Sequence, residues 1–251
     1  IAADLIDLLS SRTEDGTVLK VDARLRPDGE AGLLVNSLDA YEAYYRQRAQ
    51  LWEIQSLTRV RMVAGDPATG ESFCQLANRL ADFSGVDSAQ PVAAFVPEWK
   101  REVVRMRERI EKERTQAGKD DLAIKTGRGG LVDAEFLAQV FCLEKGWQEP
   151  NTLEALKRAA TAGALAKTDG KRLIDGFRAL QRVEGILRRW SYEGETVLPD
   201  QEAPYRRVAI RCGFPDAQTF RKHIAGIRTD IRKVWDDFTN RSPAADRQPT
   251  A

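Results

Sequence analysis

Cysteine and histidine are almost missing from this 251-residue chain, which holds three of the first and one of the second. Cys74, Cys142 and Cys212 lie far apart, form no C-x-x-C pair and are odd in number. That argues against a disulfide framework or a structural zinc site, and for a reducing, cytoplasmic setting. His223 stands alone in RKHIAGIRTDIRKVW, so a histidine-ligated metal cluster is excluded, and a Ser/His/Asp triad would rest on one residue set among helix-surface cations. No run approaches the roughly 18 apolar residues that a membrane span requires. Neither sign of charge dominates: 39 Lys and Arg face 38 Asp and Glu, a net charge of +1. A dedicated nucleic-acid binder would show a basic excess. The start, IAADLIDLLSSRTEDG, is an acidic amphipathic helix rather than a signal peptide. It has no initiating Met and reads as the start of a fragment or processed form, while RSPAADRQPTA reads as a disordered C-terminal tail over 242–251. What remains is carboxylate, arginine and lysine chemistry, which suits phosphoryl or nucleotidyl transfer better than acyl transfer.

With 42% hydrophobic and 31% charged residues, the chain has the composition of a soluble, folded protein. Helical periodicity marks residues 1–12, one long helix through AYEAYYRQRAQLWEIQSLTRVRMVAG, and another around ESFCQLANRLADF after the turn Asp66-Pro67. VPEWKREVVRMRERIEKERTQAG gives a long charged helix whose thin apolar stripe is Val103, Met106 and Ile110, the rest reading as a solvated face. KDDLAIKT, at 119–126, reads as a short extended segment; the helix in GRGGLVDAEFLAQVFCLEKG and four more follow it. The expected fold is mainly α with a small β component. The edge of an α/β domain over 1–84 is joined to a helical bundle over 85–241.

Three local patterns bear on chemistry. VLKVDARLRP alternates with a period of two, so Lys20, Asp22, Arg24 and Arg26 would share one face of a strand and Leu19, Val21, Ala23 and Leu25 the other. Pro27 and Asp28-Gly29 would turn it back onto Gly32–Val35 as a hairpin. Such a face is either a solvated lattice of Asp–Arg pairs or a metal-binding acid beside phosphate-binding arginines, whose planar forks donate two parallel bonds. Next, Lys125-Thr126-Gly127-Arg128-Gly129-Gly130 opens a helix, where exposed amides can receive an anion. Finally, a helical wheel from Leu131 places Asp133 inside the apolar arc, with Glu135 and Gln139 on its polar flank. A buried carboxylate needs a partner, and Lys125 and Arg128 are the nearest by sequence. Asp133 either closes a structural cap or salt bridge, or orders the loop that meets a nucleotide.

VDARLRPDGEAGLLVNS, LWEIQSLTRVRMVAGDP and IKTGRGGLVDAEFLAQ, in this order, resemble the glutamine synthetase adenylyltransferase family. The resemblance spans about residues 1–240; Ser56, Val60 and Ala134 depart from the usual residues at uncharged positions. It implies a nucleotidyltransferase with a polymerase-β-like domain, an ATP substrate and two Mg²⁺ ions held by three carboxylates. Asp22 matches the third carboxylate, a metal ligand that would help the attacking tyrosine oxygen lose its proton. Arg24 and Arg26 would neutralise phosphate or brace the carboxylates. By the same resemblance, Lys125, Gly129, Gly130, Asp133 and Glu135 would meet the nucleotide. Trp52, Gln55 and Arg59, on adjacent turns of a helix over 41–62, would either touch substrate or orient the metal strand. The G-S-D-x-D motif that supplies the other two carboxylates does not occur in these residues. The implied function is the C-terminal, AMP-adding half of a bifunctional enzyme, inactive as this chain alone. The alternatives are the deadenylylating half, or a helical docking module for glutamine synthetase or the PII signalling protein. No nucleic-acid or membrane partner is implied.

Overall fold

Short polar side chains start four of the helices. Ser37 accepts the amide of Ala40, Asp66 that of Thr69, Asn151 those of Leu153 and Glu154, and Asp216 that of Thr219. In the computed structural model, which describes all residues except 15, 17–20, 86–91, 192–195 and 242–251, these caps open α2 (Leu38–Gln47), α4 (Pro67–Leu80), α7 (Thr152–Thr161) and α10 (Ala217–Arg241). The remaining helices are α1 (Ala2–Ser10), α3 (Leu51–Leu57), α5 (Trp99–Arg114), α6 (Leu131–Lys145), α8 (Lys167–Ser191) and α9 (Glu202–Arg211). The fold is mainly helical. The expected tail over 242–251 lies outside the described residues.

Helix α6 is the axis of the molecule. Eleven of its 15 residues are buried, and α3, α5, α7, α8 and α10 all pack against it. A helix apolar on nearly every side belongs in the centre of a bundle. Phe136 meets Trp235 edge-on at 6.4 Å, and Phe141 meets Phe238 at 6.2 Å, so α10 is docked through aromatic contacts. Gly146, at φ 60°, closes α6 in the left-handed conformation. Buried apolar side chains form one continuous cluster from Tyr45 to Trp235.

Three local expectations need correction. The hairpin does not form: residues 21–27 and 32–35 carry no strand, while 17–20 lie outside the described residues. Asp28 (φ 59°) and Gly29 (φ 57°) turn the chain into one 3-10 turn, Gly29–Ala31, instead. Two paired strands alone are marginal in water, and no third strand exists among the described residues, whose only β pairings are the isolated bridges Thr13–Gly16 and Ala123–Val197. The expected apolar face is only partly covered: Val21 and Ala23 are half-buried, Leu25, Leu33 and Val35 are exposed, and α1 buries no residue. The helix expected through 41–65 is two helices. Gln50 and Glu53 cap each other reciprocally and restart the chain as α3. Beyond Leu57, the amides of Arg59 and Val60 bond three residues back, and the helix tightens and stops. The segment 119–126 is a series of turns rather than an extended strand, with Ala123 alone paired to Val197.

All three cysteines are free thiols. Burial pushes the Cys142 thiol up to about 11 and raises that of Cys212, whereas Cys74 is partly exposed. Thiol titration of the native protein at pH 8 is therefore expected to show Cys74 reacting fast and the other two only on unfolding. Rapid labelling of Cys142 would contradict this packing.

Candidate functional site

The first motif is a self-bonded turn. Arg24 grips Asp22 with both prongs, Nε to Oδ1 at 2.8 Å and Nη2 to Oδ2 at 2.6 Å, and both side chains are exposed. Hydrogen bonding and charge from Asp22 raise the Arg24 pKa further. Arg26, expected to be open to phosphate, instead donates to the carbonyl of Ala23 and reaches those of Glu30 and Gly32 at 3.4 Å, so it braces the turn. The carboxylate of Asp28 then holds Arg48 at 3.0 and 3.1 Å. Arg48 lies over the Tyr44 ring, and the Tyr44 hydroxyl donates to Glu53 at 2.8 Å. This relay ties the first motif to the second. It does not build a metal centre: among the described residues no three His, Cys, Asp or Glu side chains are placed to share an ion. A lone carboxylate bound to Arg24 does not supply the oxygen ligands Mg²⁺ requires, so the described residues alone do not fit that ion.

The third motif is organised around Asp133, which is fully buried, as the wheel indicated. Its partners are not the ones nearest in sequence. Oδ1 receives Arg107 Nε, Oδ2 receives the Gly129 amide at 2.8 Å, and Arg232 Nη1 stands 3.6 Å away. Arg107 is fully buried too, and its Nη2 donates to the carbonyls of Thr126 at 3.0 Å and Gly127 at 3.1 Å. Glu111 completes the group, 2.9 Å from Arg232 and 3.4 Å from Arg107. Burial pushes the Asp133 carboxyl above its ordinary range, against the pull of Arg107, Arg232 and the Gly129 amide. Lys125 and Arg128 face elsewhere, pairing with Glu184 at 3.1 Å and Asp236 at 3.5 Å.

The glycine turn is not an open anion nest. The amides of Gly130, Leu131, Val132 and Asp133 go to the carbonyls of Gly127, Ile124, Lys125 and Gly130, and that of Gly129 goes to Asp133. Gly129 and Gly130 are buried. What the glycines provide is close approach: a Cβ on Gly129 would collide with the Arg228 carbonyl, and one on Gly130 would come 2.5 Å from the Lys125 carbonyl.

On the other flank of α6 the second and third motifs meet. Gln55 Nε2 donates to Gln139 Oε1 at 2.5 Å, and Arg59 lies 3.8 Å from Glu135. Lys125 bonds Glu184, which also takes Arg188 at 2.9 Å. Burial, reinforced by Glu184, raises the Glu135 pKa against Arg59 and Lys125. Trp52, on the adjoining face of α3, is 43% exposed. Lys125, Glu135 and Arg59 are thus brought to one polar surface with Gln55 buried beside them, and Asp133, Gly129 and Gly130 are buried as well. No motif points to Glu184, which lies 49 residues beyond Glu135 (184 − 135) in a segment whose pattern says only helix.

Comparison with known proteins adds an outside view of the same segments. Residues 1–76 match the family model described as glutamate-ammonia ligase adenylyltransferase, and residues 97–239 match that described as GlnD PII-uridylyltransferase. Over 246 residues the chain is 33% identical to the bifunctional glutamine synthetase adenylyltransferase/adenylyl-removing enzyme of Streptomyces coelicolor, an alignment covering 94% of this chain and 24% of the relative. A relative of the same description from Xanthomonas axonopodis pv. citri is 42% identical over 168 residues, 67% of this chain and 17% of the relative. The chain spans about a quarter or less of the length of these curated relatives.

Proposed function

Because this chain belongs to the glutamate-ammonia ligase adenylyltransferase family, we propose that it forms part of a catalytic unit transferring AMP from ATP to a tyrosine of glutamine synthetase. The observation that carries this reading is the convergence at α3, α6 and α8. Two motifs about 70 residues apart deliver Arg59 and Lys125 to one surface beside Glu135 and Glu184. Cations held at short range by acids can exchange those partners for a triphosphate, and Trp52 offers a ring beside them. Lys125 and Arg59 are assigned to binding the phosphates, and Gln55 with Gln139 to orienting α3 against α6. Asp22 is the carboxylate this chain contributes toward a divalent metal, which requires further ligands from outside the described residues. The matched intervals 1–76 and 97–239 support a functional division near 84/85. The location proposed is cytoplasmic, in keeping with the free thiols; among the described residues no helix is long and apolar enough to cross a membrane.

The half assigned is the AMP-adding, C-terminal one, because Gly32–Val35 (GLLV) resembles the C-terminal of the family's two related halves more than the N-terminal one. The match of 97–239 to a model named for PII favours a second role of the bundle, docking PII or glutamine synthetase. One set of assays tests these readings. In the full-length protein, Asp22→Asn is expected to lower AMP transfer by ~10²-fold or more, and Lys125→Ala with Arg59→Ala to raise the KM for ATP about tenfold. AMP removal should be unaffected. Loss of removal with intact transfer would reassign the chain to the deadenylylating half, and an unchanged KM would sink the phosphate assignment. The 251-residue chain alone is expected to transfer no AMP. Retention of PII by the isolated 85–241 region would favour the docking role.

A further inference from the structure

We infer that Arg107 on α5 and Arg232 on α10 are positioning residues that fix the glycine turn, and with it the backbone from which Lys125 reaches the polar surface of α6. The inference rests on the nucleotide-site reading above, which gives Lys125 its task. The two arginines come from 26 residues before Asp133 and 99 residues after it (133 − 107, 232 − 133), yet both close on the same carboxylate.

A buried pair that served only to neutralise charge would need one cation and one anion. Here the surplus hydrogen bonds of Arg107 and Asp133 go to the turn, while Arg232 is held beside the carboxylate by Glu111 and Asp236. Arg107 takes the carbonyls of Thr126 and Gly127, and the second oxygen of Asp133 takes the Gly129 amide. The Gly127 carbonyl also takes the Gly130 amide, so Arg107 adds a second donor to it and one to the neighbouring Thr126 carbonyl, binding two successive peptide units of the turn. From the α10 side, Arg228 holds the Arg128 carbonyl at 2.9 Å and that of Asp120 at 2.6 Å. The Lys125 carbonyl in turn caps the Val132 amide at 3.1 Å, so Lys125 is one end of the clamped unit.

Packing alone does not hold the turn. On its outer side lies a cavity of about 840 Å³, lined by Arg128, Arg228, Arg232 and Tyr205 among others, into which a released turn has room to move. Guanidinium geometry is essential to this arrangement. A lysine could neutralise Asp133, but one ammonium cannot span the carboxylate and both carbonyls.

The test compares Arg107→Lys with the double variant R107M/D133L in the full-length protein. The double variant removes both buried charges together, a replacement that tends to preserve folding while abolishing the clamp. Hydrogen exchange of amides 126–130 is expected to quicken at least about tenfold in both variants, with the core amides of α6 little changed, and ATP should bind about tenfold more weakly. Unchanged exchange in the turn would overturn the inference. So would equal acceleration throughout α6, since that reports general loosening. Faster turn exchange with undiminished ATP affinity would uphold the clamp and overturn the nucleotide role of Lys125.

Discussion

Replacing Asp133 by alanine is expected to destabilise the protein by about 3–5 kcal/mol, a large fraction of the roughly 5–15 kcal/mol that holds a domain folded. The reason lies in what the substitution leaves behind. Arg107 is completely shielded from water, and its Nη1 makes no hydrogen bond among the described residues. Without Asp133 its remaining anion is Glu111 at 3.4 Å, already shared with Arg232. The Gly129 amide loses its acceptor as well. Asp133→Asn separates the contributions: it keeps an oxygen for Gly129 but not the charge, and should cost less than alanine, about 1.5–3 kcal/mol. Urea denaturation of the two variants measures both. A loss below about 1 kcal/mol in the alanine variant would mean that Arg107 finds adequate compensation elsewhere, and the central place given to this ion pair would fail. The same variant should speed hydrogen exchange across 125–130.

Asp133 and its partner Arg107 show what this sequence discloses and what it hides. Burial of the carboxylate follows from angular position on a helix, and angular position is a property of the sequence. Partner choice is not. Lys125 and Arg128 are close along the chain, but the turn that carries them consumes its inner bonds on its own backbone and sends both side chains outward. The true partner sits within the thin stripe of α5, four residues after Val103 and three before Ile110. That spacing placed a cation on the buried face, and it was legible, but the high charge of the helix disguised it. Alternation in VDARLR was equally legible. Alternation is only half of a strand, however, and the described residues provide no sheet for it to join. The break between α2 and α3 hinges on a glutamine, Gln50, at a position where Ser, Thr, Asp or Asn is the usual signal. The meeting of Lys125 with Glu184 depends on how α8 crosses α6, which no local pattern encodes.

Gly129→Ala should be far more damaging than alanine at Gly118 or Gly163, which share its backbone conformation, and the contrast isolates a packing effect. Gly129 has φ +66°, Gly118 +76° and Gly163 +74°, so each substitution bears the left-handed penalty of about 1–2 kcal/mol. At Gly118 and Gly163 an added methyl meets open space. At Gly129 it collides with the Arg228 carbonyl, part of the α10 backbone, which cannot rotate aside as a side chain would. Relief requires α10 to withdraw or the turn to shift, and overpacking of this kind adds about 1–3 kcal/mol. Withdrawal of α10 would also draw Arg228 off the carbonyls of Arg128 and Asp120 and Arg232 away from Asp133. The methyl would therefore act on the same turn from behind. Denaturation midpoints for the three alanine variants decide the matter: Gly118→Ala and Gly163→Ala should be alike and mild, with Gly129→Ala clearly below both. If all three coincide, the turn and α10 do not press on each other as the backbone positions require.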